Sequence, residues 1–179
     1  MTERTNKYTP FTFIDMKIGI FFGSSTGTTE DVAGRIGKAL NVDSSDIHNV
    51  SDADASMIEG YDLLVLGSST WGVGELQDDW YDGIKKFKAA NLQGKKVALF
   101  GLGDSGSFSE TFCDAMGIIK GELAGAGVTF IGEVPTDDYT FDSSVSVEGG
   151  TFVGLALDEV NEEYKTDERI SRWVSSLPL

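Results

Sequence analysis

Short apolar runs alternate with amphipathic stretches from Lys17 onward. Ile18–Phe22, Leu63–Gly67 and Val97–Gly101 are apolar runs of strand length, each ending in glycine or a polar loop. Between them Val32, Ile36, Ala39 and Leu40 recur at helical spacing, as do Trp80, Ile84 and Phe87. A third helix is expected from about Ser109 to Ala126, and Val128–Gly132 then returns to strand character. Ile47–Val50 is a weaker strand and Phe152–Leu157 a further one, while Thr166–Leu177 reads as a closing helix stopped by Pro178. Such alternation predicts an α/β fold, a doubly wound parallel sheet with helical crossovers. In that architecture ligands bind beyond the carboxyl ends of the strands. Residues 1–15 carry no apolar core segment of a secretory signal. They are expected to form a loosely ordered extension ahead of one domain, 16–179.

The segment FFGSSTGTTE follows the first run and opens the first helix. Thr28 with Asp31 three residues on reads as a capping box. Capping needs one hydroxyl, yet the stretch supplies Ser24, Ser25, Thr26, Thr28 and Thr29 around Gly27, and no Lys or Arg stands between Lys17 and Arg35. Amides and hydroxyls gathered over a helix dipole suit an anion, above all a phosphate. Neither GxxxxGK[ST] nor GxGxxG is present, so a triphosphate loop and the dinucleotide fingerprint are both missing. Neutral donors without a cation fit a terminal phosphomonoester such as that of a flavin mononucleotide.

Charge narrows the choice further. With 14 basic and 29 acidic residues the formal net charge is −15, which disfavours nucleic acid and anionic membranes and favours basic protein partners. No apolar stretch approaches the roughly 20 residues of a membrane span. One cysteine, Cys113, and one histidine, His48, cannot assemble a disulfide framework, a four-thiolate cluster or a structural zinc site. Redox chemistry on this chain therefore calls for an organic cofactor. Cys113 is expected to be structural and partly buried, and His48 to pack.

Two more loops leave the same predicted sheet edge. GSSTWGVGELQDDW follows Leu63–Leu66, and GLGDSGSFSETF follows Val97–Phe100. Each sets one aromatic, Trp71 or Phe108, among glycines and polar residues, as two faces of a clamp for a planar ring. Gly72, Gly74, Gly101 and Gly103 let backbone groups approach the ring edge. Glu75, Asp78 and Asp79 follow the first of these loops and are candidates for an acidic rim.

In this order and spacing the three loops resemble those of flavodoxins, from about Met16 to the C-terminus. The stretch from Val134 to Leu177 resembles the insertion and tail of the long-chain subgroup. The resemblance implies a flavodoxin-like three-layer sandwich with a five-stranded parallel sheet in the order 2-1-3-4-5, its fifth strand split by the insertion. It implies non-covalent FMN and low-potential one-electron carriage between a reductase or photosystem and acceptor enzymes, without substrate turnover of its own. The alternative is an FMN-dependent NAD(P)H:quinone oxidoreductase, which the bulk of Trp71 and Phe108 disfavours. Implied partners are redox proteins with basic docking surfaces, such as a ferredoxin/flavodoxin-NADP reductase. The implied state is a monomer in the cytoplasm, or in an organelle stroma if residues 1–15 belong to a processed leader.

Carried over by position, Ser24, Ser25, Thr26, Gly27, Thr28 and Thr29 correspond to the phosphate loop. Ser68, Ser69, Thr70, Trp71 and Gly72 form the second flavin loop, with the Gly72–Val73 peptide at the flavin N5. Gly101, Leu102, Gly103, Asp104 and Phe108 form the third. Phe108 stands where the family usually has tyrosine, so stacking is kept and the phenol hydroxyl lost. Asp104 matches an acid beside the pyrimidine end, and Asp137 lies near a ribityl-contacting acid.

Overall fold

The computed structural model describes residues 16–179, so the expectation for the extension 1–15 lies outside the described residues. The main elements are β1 (Ile18–Gly23), α1 (Thr28–Leu40), β2 (Ile47–Asn49), α2 (Ala55–Glu59), β3 (Leu63–Trp71), β4 (Glu75–Leu76) and α3 (Asp79–Ala89). They continue with β5 (Lys96–Leu102), α4 (Asp114–Leu123), β6 (Thr129–Ile131), β7 (Val134–Pro135), β8 (Val147–Glu148), β9 (Thr151–Phe152), β10 (Leu155–Leu157) and α5 (Thr166–Ser176).

Strands β2, β1, β3 and β5 lie side by side and parallel, with Ile20 beside both Ile47 and Val65, and Leu66 beside Leu99. The position next to β5 is shared: β6 pairs with Lys96–Ala98 and β10 with Phe100–Leu102, both parallel. The chain between them folds into a small antiparallel sheet in the order β7-β9-β8. The order 2-1-3-4-5 with a split fifth strand is therefore present, β6 and β10 being the two halves.

Successive residues of each strand feed opposite cores. Ile20, Phe22, Val65 and Phe100 pack with Val32 and Ile36 of α1 and with Ile170 and Trp173 of α5. Phe21, Leu64, Leu66 and Leu99 pack with Trp80 and Phe87 of α3 and with Met116 and Ile119 of α4. A sheet covered on both faces needs apolar residues at both parities, which is why these strands read as continuous runs.

Three sequence expectations change. Phe152–Leu157 is not one strand: Phe152 pairs with Val134 and Val147 in the small sheet, and only Leu155–Leu157 joins the large one. Gly154 between them is the point of re-entry, where a Cβ would lie 2.2 Å from the carbonyl oxygen of Leu99. The helix expected over 109–126 shortens to Asp114–Leu123, because Cys113 takes a left-handed backbone (φ 55°) after a single turn at Ser109–Thr111. Strand β3 runs on through Trp71, held there by an antiparallel pairing of Thr70 and Trp71 with Leu76 and Glu75. Among the described residues no helix is long and apolar enough to cross a membrane.

Candidate functional site

The loops after β1, β3, β5 and β10 meet at the carboxyl edge of the sheet around a cleft of about 300 Å³. One end is the hydroxyl loop. Ser24, Ser25, Thr26, Thr28 and Thr29 all line the cleft. The capping box does not form: Gly27 is the N-cap in a left-handed conformation (φ 91°), and no side chain caps the helix. Thr28 is already the first helical residue, so its hydroxyl lies 3.5 Å from that of Thr26 rather than on the backbone of the first turn. The first amides of a helix have no partner within it. Thr28 and Thr29 of that first turn line the cleft, and no side chain caps the helix. Ser24 Oγ accepts the amide of Gly27 (3.0 Å), and Gln77 Nε2 donates to Ser25 Oγ (3.1 Å), so the loop is set from both sides.

Across the cleft stand the two aromatics. Trp71 and Phe108 line it and remain 44% and 52% exposed, an uncommon state for rings of this size. The Trp71 Nε1 donates to Ser69 Oγ at 2.8 Å. Beside it Gly72 holds φ 52°, and a Cβ there would lie 2.8 Å from a Glu75 carboxylate oxygen. Ser69, Thr70, Leu102, Gly103 and Asp104 complete this wall, and Thr70 Oγ1 accepts the Ala115 amide at the start of α4 (3.1 Å).

The fourth loop was not singled out from the sequence, and it supplies Glu159 and Val160 to the cleft. Its anchor is Asp158, fully buried at the end of β10. One carboxylate oxygen accepts the amide and hydroxyl of Ser105 (3.0 and 2.6 Å), the other the amides of Val160 and Asn161 (3.1 and 2.9 Å). Asn161 Nδ2 bonds both oxygens and also reaches Asp104 Oδ1 (2.9 Å), which accepts the amides of Gly106 and Ser107 as well. Two acids thus lock the third and fourth loops together. The signal available in sequence was the string DEVN directly after an apolar run at the same sheet edge.

Both carboxyls sit below the ordinary range. For Asp104 the Asn161 amide leads, with Ser107 and Gly106 adding to it. For Asp158 burial opposes ionisation, and the bonds from Ser105 and Asn161 overcome it. A carboxyl depressed in the folded state stabilises the fold above its unfolded pKa of about 3.9 and ceases to as pH falls through the folded value. Urea unfolding is expected to show wild-type stability falling below about pH 4. Asp158→Asn is expected to cost about 1.5–3 kcal/mol at neutral pH and to flatten that fall. A variant as stable as wild type across the range would contradict this role.

Four of the sequence candidates do not line the cleft. Gly27 shapes the turn; Ser68, fully buried, accepts the Gln77 amide (3.3 Å) and donates to the Ser69 carbonyl (2.9 Å); Gly101 packs under Met116. Asp137 is a correction of place. The turn Thr136–Asp138 is tied to Gly150 of the insertion, which carries Asp137 to a separate cavity of about 370 Å³ between the insertion and α5. Cys113 is fully rather than partly buried, and burial pushes its thiol up. His48, half-buried, bonds Tyr61 Oη (2.7 Å), which donates to Asp46.

The family model described as Flavodoxin matches residues 20–173. The flavodoxin of Synechococcus elongatus is 43% identical over 162 residues, covering 90% of this chain and 95% of that protein. Flavodoxin 1 of Escherichia coli is 42% identical over 160 residues, covering 89% and 91%. Among solved structures, Fusobacterium nucleatum flavodoxin bound to flavin mononucleotide aligns with a TM-score of 0.81 at 33% identity, over 89% of this chain and 95% of that one.

Proposed function

The chain belongs to the flavodoxin family, and we propose that its cleft holds FMN with the phosphate on the hydroxyl loop and the ring between Trp71 and Phe108. It is an electron-transfer protein that uses FMN, not an enzyme with its own turnover. One observation carries the residue assignment: two exposed aromatics face a cleft whose far end is a cation-free cluster of hydroxyls over the start of α1. That combination matches a flat ring joined to a single phosphate.

When bound, FMN supplies reversible one-electron chemistry on its ring system. The chain's own residues bind, orient and tune. Thr26, Thr28 and the free amides of α1 donate to the phosphate. Trp71, fixed by Ser69, presents a preset face, and Phe108 closes the other side. Asp104, held ionised, keeps negative charge beside the ring and disfavours adding more, which sets a low potential for the second electron.

Docking follows from the same surface. Trp71, Val73, Phe108 and Val160 are exposed around the cleft, the exposed acid Glu75 pairs with Trp71, and exposed Asp78 follows at the start of α3; Asp79 is turned instead toward the Gln77 amide (3.0 Å). A basic redox partner, such as a ferredoxin/flavodoxin-NADP reductase, is steered to this rim and seats on its apolar centre. Transfer from such a reductase is expected to slow several-fold at about 0.5 M salt relative to moderate ionic strength, where the Debye length is about 10 Å. Stopped-flow kinetics check this, and rates flat in salt would contradict steering. The protein alone is expected not to oxidise NADPH; steady turnover without a reductase would favour the quinone oxidoreductase reading.

A further inference from the structure

The cleft poses an electrostatic problem that its lining does not solve. Its charged lining residues are Asp104 and Glu159, and no Lys or Arg lines it among the described residues. The chain as a whole carries −15. A phosphomonoester near pH 7 is itself close to dianionic. Beside an uncompensated Glu159, such a group would be repelled within a cleft of about 300 Å³, too small for screening over a Debye length of ~8–10 Å to remove the repulsion.

Glu159 is not uncompensated. Its side chain is 18% exposed, and Oε2 lies 3.3 Å from Nη1 of Arg35, two turns along the helix whose first residues form the hydroxyl loop. The other oxygen accepts the Thr166 hydroxyl at the start of α5. The Arg35 guanidinium also forks onto Asp167 Oδ1 through Nε (3.0 Å) and Nη2 (2.7 Å), with Asp31 at 3.6 Å. Helix α1, the fourth loop and α5 therefore converge on one cation just behind the cleft wall.

We propose that Arg35 is a positioning residue that sets the preference for a phosphorylated flavin: it holds Glu159 and offsets its charge, so that this carboxylate of the cleft lining repels the cofactor's phosphate less. The inference rests on the FMN reading above. It adds a residue that touches no cofactor and acts only through Glu159. A clamp with no electrostatic role would also join these three segments. The two roles separate because a clamp supports any flavin equally, whereas screening acts on the phosphate alone.

The test compares FMN with riboflavin on the full-length apoprotein, by quenching of flavin fluorescence, in wild type and four variants. Arg35→Met is expected to lower the ratio of FMN to riboflavin affinity about three- to tenfold at low salt, and less at about 0.5 M. Arg35→Lys, which keeps the charge without the fork, is expected to retain most of the ratio. Adding Glu159→Gln to Arg35→Met is expected to restore it. Glu159→Gln alone, which removes a carboxylate from the cleft lining while Arg35 stays paired with Asp167, is expected to raise it, and this arm stands even if Arg35→Met does not fold. An unchanged ratio in Arg35→Met, an equal loss of both flavins, or no restoration in the double variant overturns the proposal. Wild-type protein that binds the two flavins equally overturns the phosphate assignment itself, which is a different failure.

Discussion

Riboflavin is expected to bind the apoprotein at least about a hundredfold more weakly than FMN, because the loop from Ser24 to Thr29 has the donors of a phosphate site. A hydrogen bond to a charged group contributes about 1.5–3 kcal/mol, and every 1.4 kcal/mol is tenfold in affinity. The helix begins at Thr28, behind Gly27 as its N-cap and with no side-chain cap, so amides of the first turn and the hydroxyls of Thr26 and Thr28 are available together. Thr26→Ala removes one such donor from an exposed position, and is expected to weaken FMN about 10- to 100-fold while leaving riboflavin nearly unaffected. Thr29 is a poorer probe, since it is 1% exposed and its loss would also disturb packing. Titration of the apoprotein with both flavins is the check; equal affinities would remove the phosphate from this loop.

Trp71→Ala is expected to weaken FMN and riboflavin alike, by about 5- to 100-fold, since stacking on an aromatic side chain is worth about 1–3 kcal/mol per ring. The effect should exceed that of Phe108→Ala. Trp71 offers the larger face, and its bond to Ser69 orders that face before the ring arrives. Phe108 is half exposed and has no polar handle on its ring; its backbone amide is fixed to the Asp104 carbonyl at 2.9 Å. Flavin fluorescence strongly quenched in the wild-type complex and partly recovered in Trp71→Ala would report the stacking directly. Unchanged affinity in both variants would remove the clamp.

The strand runs and the three loops were legible in the sequence for a physical reason. A two-sided parallel sheet writes its strands as unbroken apolar runs, and the loops that follow must then converge at one edge. The errors lie where tertiary contacts override local pattern. The Thr28 hydroxyl had a suitable spacing for a cap, but Gly27 supplies a left-handed turn that starts the helix one residue earlier. Phe152–Leu157 reads as one strand because both ends are apolar; only the passage of Gly154 over Leu99 shows that two sheets share it. The resemblance puts Asp137 near the ribityl chain across an insertion, and the bonds of Thr136 to Gly150 carry it elsewhere. The fourth loop carries no local motif because Asp158 works from full burial, through tertiary bonds to Ser105 and Asn161.

The central claim, that these residues make FMN a low-potential carrier of single electrons, is tested most directly by anaerobic stepwise reduction of the holoprotein against dyes of known potential. The account predicts two separated one-electron midpoints, the second well below that of free FMN, because ionised Asp104 and a protein of net charge −15 oppose added negative charge on the ring. A single two-electron wave at the potential of free FMN would contradict it.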